Sequence, residues 1–182
     1  MDWTQQLVEQ LDWHWQHQLR PRLDGLTDEE YFWEPAPGCW SLRPRGEAGT
    51  PLAAGAGALV LDYAFPAPLP PPVTTIAWRL AHLLVGVFGM RVEWHFGGPS
   101  ISFQSADYPA TAAEALTQLD EVYGQWIAGV RALDPTRLAA PIGPPEPFPE
   151  LPFAALVLHI NREAIHHGAE IALLRDLYQW RG

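Results

Sequence analysis

The chain is poor in positive charge. Eleven basic side chains face twenty-one acidic ones in 182 residues, a formal net charge of −10. Neutralisation of phosphates by Lys and Arg supplies most of the affinity for nucleic acid. No basic run is present to do this, and the pair Arg43 and Arg45 reads as part of a solvated loop. A nucleic-acid partner is not expected on charge. Cysteine is almost absent: Cys39 stands alone, which rules out an intrachain disulfide and any all-cysteine metal site and suits a reducing cytoplasm. Long hydrophobic runs are also missing. The longest, Leu80–Met90, contains His82 and is about half a membrane span. The start, Met1-Asp2-Trp3, carries acid instead of the basic opening of a signal peptide. A soluble, cytoplasmic protein without membrane or nucleic-acid partners is expected.

What is present points to a helical domain. Apolar residues make up 48% of the chain and charged residues 18%, with nine tryptophans to fill a core, line a pocket or meet a partner subunit. The length suits one domain over 1–182. Leu7, Leu11, Trp15 and Leu19 recur every four residues and predict a first helix over 4–23, with Thr4 as N-cap and Pro21 near its end. Residues 26–31 predict a short helix or turn. The proline- and glycine-rich stretch 34–72 must carry structure of its own. Cys39–Arg43 and Leu59–Phe65 predict a small two-stranded ribbon, and Pro66–Pro72 an extended polyproline strut.

A second helix starts after Thr74 or Thr75 and is apolar on most faces, so it should be central. Thr111 and Glu114 form a capping box for a third, which stops at Asp134-Pro135. A proline-rich loop, 141–152, leads to a fourth over 153–180. No internal repeat is visible. Four long helices with one elaborate early crossover predict an all-α four-helix bundle with a ribbon in the crossover.

The fourth helix carries the dense polar pattern. At about 100° per residue, His159, Glu163, His166, His167 and Glu170 share roughly one quadrant. Such a stripe in an otherwise apolar helix must face a metal, a polar pocket or water. His82, isolated among apolar neighbours in the second helix, is its natural partner. One histidine from one helix and an i, i+4 pair from another present three ligands to one side of a metal and leave positions open. A lone helical histidine is more often a core or surface residue. His14 and His17 accordingly read as solvated, and His95 as a favourable charge at a helix C-terminus. Glu163 and His166 have the Glu-x-x-His spacing of di-iron bundles, but no second such pair exists.

The segments Gly25–Tyr31, Pro37–Arg43, Thr75–His82 and Asn161–Arg175, in that order, resemble the DinB-like superfamily, including mycothiol-dependent maleylpyruvate isomerase-like proteins. The resemblance covers nearly the whole chain. It implies an up-down-down-up four-helix bundle, often a homodimer, with a divalent metal held by three histidines. His82 matches the ligand of the second helix and His167 the last ligand of the fourth. Glu163 stands where the middle histidine is expected. His₂Glu is a working catalytic zinc set, and the carboxylate shifts preference from Zn or Ni toward harder ions such as Mn or Fe. His159 and His166 are alternates if the helix is rotated, and Glu170 is a partner that orients a ligand.

Two functions follow. One is a metal-dependent enzyme on a small molecule, of the thiol-dependent transferase or isomerase kind, in which the metal activates a low-molecular-weight thiol cosubstrate and Glu170 or His166 moves the proton. Cys39, between Gly38 and Trp40 with no adjacent base, reads as a packed loop thiol and not as the nucleophile. The other is a non-catalytic bundle that binds a small ligand or dimerises, with the metal site lost, Glu163 paired to Arg162, Arg79 or Arg91, and the stripe serving as a buried hydrogen-bond network.

Overall fold

The four-residue recurrence of Leu7, Leu11, Trp15 and Leu19 buries one side of a helical segment that begins as α1, Trp3–His14. It continues through a π-helical turn, Trp15–Leu19, and ends in the short α2, Arg20–Arg22, with Pro21 in its first turn. The computed structural model describes residues 1–47 and 49–181; Ala48, in the early crossover, and Gly182 lie outside the described residues. The cap of α1 is Asp2, which accepts from Gln5 N at 3.1 Å. Thr4, expected in that role, instead donates its hydroxyl to Leu133 O at 3.1 Å. Asp2 wins because a carboxylate at a helix N-terminus gains from the aligned dipoles as well as from the hydrogen bond.

Thr27 and Glu30 close a capping box around α3, Asp28–Tyr31. The crossover then forms an antiparallel ribbon of β1, Leu42–Pro44, and β2, Leu59–Leu61, with Leu42 opposite Leu61. Its anchor is Asp62, almost fully buried, which accepts from Ser41 N at 3.1 Å, Arg43 Nε at 2.8 Å and Gly49 N at 3.2 Å. A buried carboxylate needs such partners. The proline tract that follows is not a straight strut: the chain bends at 65–66 and 69–70, where Phe65-Pro66 and Leu69-Pro70 are cis.

Thr75 accepts from Trp78 N and starts α4, Ile76–His82. The helix passes into a π-helical turn, Leu83–Gly89, and then α5, Met90–Phe96. Eleven of its residues between Ile76 and Val92 are buried, on several faces, so this segment is central as expected. Thr111 caps α6, Ala112–Arg131, while Glu114 reaches back to Ala110 N at 3.0 Å. Asp134-Pro135 does not only end that helix. Asp134 caps α7, Pro135–Ala139, with Pro135 at a position where a missing N–H costs nothing. The last helix, α8, spans Phe153–Gln179.

α1 packs against α6 and α8, and the π-helical turn after His82 packs against the same two helices. One hydrophobic core runs between them, from Leu7 to Leu174, and includes the ribbon residues Leu42 and Leu61. The chain is thus mostly helical with one small antiparallel sheet. Among the described residues no helix is long and apolar enough to cross a membrane.

Candidate metal centre

His82 is the last residue of α4, and the π-helical turn begins at the next residue. Such turns widen a helix by one residue and occur often at functional sites. The imidazole lies between two aromatic rings: Trp78 at 5.6 Å between centroids and 19° between planes, and Phe103 at 6.3 Å and 8°. Gly86, one turn on, makes room for this arrangement. A Cβ there would lie 2.7 Å from Phe103 Cζ and 3.1 Å from His82 Nδ1. Replacing a helical glycine by alanine ordinarily stabilises by about 1 kcal/mol, whereas forcing a methyl into a filled site costs about 1–3 kcal/mol. His82 is wedged and cannot retreat, so Gly86→Ala should lower stability by roughly 1 kcal/mol net. Thermal unfolding checks this, and a more stable variant would refute the wedge.

Burial pushes the pKa of His82 down to about 3, with the nearby His167, Arg79 and Arg91 adding in the same direction. The ring is neutral at pH 7, the form in which imidazole is a ligand.

α8 brings His167 to His82, edge to face with centroids 4.8 Å apart. His167 is buried; its neighbour His166 has a side chain 63% exposed. The polar stripe is therefore split by one residue's rotation. Gly168 permits the close approach of α8 to the first helical segment, since a Cβ there would lie 2.9 Å from both methyls of Leu19.

His167 Nδ1 meets Glu170 Oε2 at 2.6 Å. The carboxylate accepts a hydrogen bond from Nδ1–H, which keeps the proton on Nδ1 and leaves a lone pair on Nε2. Nε2 lies 3.5 Å from Glu163 Oε2. Arg79 Nη2 pairs with the other Glu170 oxygen at 3.1 Å, fixing the carboxylate from behind. His166 Nε2 reaches that same oxygen at 3.5 Å from the exposed side. Glu163 also has His159 at 3.6 Å and Arg162 at 3.7 Å; neither Arg79 nor Arg91 engages it.

Two sets of potential ligands converge among the described residues: His82, Glu163 and His167, and His166, His167 and Glu170, each with donor atoms within 4.8 Å of one another. Bonds of 2.0–2.2 Å in a tetrahedron put donors about 3.4 Å apart, close to the 3.5 Å between His167 and Glu163. A rotamer-scale adjustment closes the rest. The first set fits a metal better, because both its histidines are held by neighbours and one is oriented by a carboxylate.

The remaining histidines serve elsewhere. His95 is not an exposed charge at a helix end: its side chain is buried, with Nε2 at 3.1 Å from Glu146 Oε1 and its ring edge-on to Phe153. Burial alone would raise the pKa of Glu146, but the His95 hydrogen bond and Arg91 outweigh it and hold the carboxyl low. His14 is half-buried, its Nε2 without a hydrogen-bond partner, and so is less solvated than expected, whereas His17 is exposed and stacks on Trp13. Cys39 is buried and donates to Ala36 O at 2.8 Å, and burial pushes its thiol pKa up. It is a packed thiol.

Sequence reasoning did not supply the surroundings. Trp78 and Arg79 lie four and three residues before His82, so helical spacing alone would have placed them beside it. Phe103 comes from a loop, and Leu52, Leu61 and Tyr63, which line the cavity beside His82, come from the crossover and its ribbon; no local pattern marks them as neighbours of His82.

A family model described as the DinB superfamily matches residues 10–171. Comparison with curated proteins and with solved structures returns no significant match.

Proposed function

The chain belongs to the DinB superfamily, and from that premise we propose a divalent-metal-dependent enzyme acting on a small molecule, of the thiol-dependent transferase or isomerase kind. One observation carries the proposal: His82, Glu163 and His167 converge from two helices with donor atoms within 4.8 Å, and His167 is already oriented by Glu170 at 2.6 Å. These three residues would hold the ion. A divalent ion bound there supplies Lewis acidity, which lowers the pKa of a low-molecular-weight thiol at an open position. The carboxylate of Glu163 reduces the charge and favours Mn or Fe relative to an all-histidine set, with Zn and Ni as competitors.

Glu170 has two tasks in this reading. It holds the Nδ1 proton of His167, and its second oxygen, between Arg79 and His166, accepts or returns a proton. His166, largely exposed, passes that proton to water. The four long helical segments are read as the up-down-down-up bundle of the family, a single domain over 1–182.

The test is metal analysis of protein purified without a polyhistidine tag. Stoichiometric transition metal is expected, and a metal content at background after growth in supplemented medium would overturn the reading. Loss of an orienting partner typically weakens a metal by about 10–100-fold. Glu170→Gln should therefore bind the ion that much more weakly while still saturating, as read by competition with a chromogenic chelator.

A homodimer is the second proposal, favoured by apolar surface shared by the first and last helices. Trp3, Trp13 and Leu158 are all more than half exposed around one groove, and contiguous exposed apolar surface marks interaction sites. Light scattering should give a dimer that Trp13→Glu converts to monomer. A monomeric parent protein would refute it.

A further inference from the structure

His82 borders two cavities of opposite character. On one side is a chamber of about 720 Å³, walled by Leu52 and Tyr63 of the crossover, Trp78 and His82 of α4, and Phe103 and Gln104 of the loop after α5. No lining residue carries a formal charge. On the other side is a cleft of about 310 Å³ that includes Arg91, Trp94, His159 and Glu163. His82 and Phe103 belong to both, so a molecule in the chamber would reach the metal centre at the His82 edge.

The chamber has the volume of a small-molecule site, which is typically about 300–1,000 Å³ with apolar walls and few polar groups. Trp78 and Phe103 flank His82, at 19° and 8° to its plane, so the imidazole fills the space between them, and what the two rings add to the chamber is apolar wall. The Trp78 indole N–H is already spent on Asp62 O at 2.9 Å, and Tyr63 and Gln104 are the neutral polar groups left on the wall. A carboxylate or phosphate entering here would lose water and find no cationic side chain on the walls to replace it. The early crossover thus has a purpose beyond connection: its ribbon holds Leu61 and Tyr63 against α4, and Asp62 between them ties the ribbon to Trp78.

We propose that the chamber binds the uncharged, apolar part of the substrate and so selects neutral aromatic or alkyl compounds over anions, with charged groups confined to the Arg91 side. This rests on the metal-centre reading only for placing the reactive group at His82.

The test is isothermal titration of the full chain, metal-loaded and after chelation, with two probes that ligate metals weakly: naphthalene-2-methanol and naphthalene-2-sulfonate. The alcohol should bind at least tenfold tighter than the sulfonate in both states. Leu52→Asp, at an exposed point of the rim, should weaken the alcohol tenfold or more without changing metal content, and Tyr63→Ala should weaken it severalfold. Equal or tighter sulfonate binding would overturn the proposal, as would alcohol binding indifferent to both substitutions. Metal without binding of the alcohol would sink the proposal and leave the metal centre standing. Binding of the alcohol with no metal would do the reverse.

Discussion

Untagged protein carrying His82→Ala should lose its metal, with affinity falling by more than about 100-fold. Removal of a mere orienting partner costs 10–100-fold, and a ligand that forms the bond itself must cost more. Glu163→Ala should do the same, because the two remaining histidines would leave a site of half the usual ligand count. The informative partner is Glu163→His. It keeps three donors, restores the all-histidine set that the family resemblance implies, and should retain metal while shifting preference from Mn or Fe toward Zn or Ni. A protein whose metal content is untouched by His82→Ala and Glu163→Ala would show that any bound ion sits elsewhere, the cluster of His166, His167 and Glu170 being the alternative. Circular dichroism separates metal loss from unfolding. His82 is half-buried, with α4 otherwise packed through Ile76, Ala77 and Leu80, so the alanine variant should fold.

Much of this centre is legible in the sequence. The 3.6-residue period put His159, Glu163, His166, His167 and Glu170 on one stripe, and His82 stood out as a polar residue in an apolar helix. The period could not choose between His166 and His167, which are adjacent; only the packing of α8 against α4 turns His167 inward and leaves His166 in water. Likewise Arg162, Arg79 and Arg91 are all possible partners of Glu163 on the sequence alone. Tertiary structure gives Arg79 to Glu170 and Arg91 to Glu146. The buried pairing of His95 with Glu146 joins residues 51 apart, a distance at which no helical rule operates. Asp134-Pro135 reads as the end of the third helix, with no element expected over 135–139; α7 forms there because the same two residues are a good N-cap and first position. The crossover was correctly expected to contain a ribbon. Its role as the wall of a chamber was not visible, since Leu52, Tyr63 and Trp78 come together only in the fold.

Replacing Arg175 with methionine should destabilise the protein by about 3–5 kcal/mol, the cost of leaving a buried charge without its partner. Arg175 and Glu30 are 11% and 6% exposed and meet at 3.0 Å through Nε and 3.2 Å through Nη2. Glu30 is also the residue that reaches back to Thr27 N in the capping box of α3. Arg175 Nη1 in turn donates to Arg22 O at 2.6 Å and Asp24 O at 2.9 Å. One guanidinium therefore ties α8 to α3 and to the turn after α2, and its loss strands a carboxylate and two carbonyls together. For a chain of this length each kcal/mol shifts the melting temperature by about 2–4 °C, so a fall of about 6–20 °C is expected by calorimetry. The double variant Glu30→Gln with Arg175→Met should recover a large part of the loss, since it removes the charge that the single change leaves unpaired. If the single variant melts within about 2 °C of the parent, the pair behaves like an exposed one, whose worth is at most about 1 kcal/mol. Metal content should be unchanged in either case, because the pair lies on the far side of Glu170 from His82 along α8, one turn beyond the residue that orients His167.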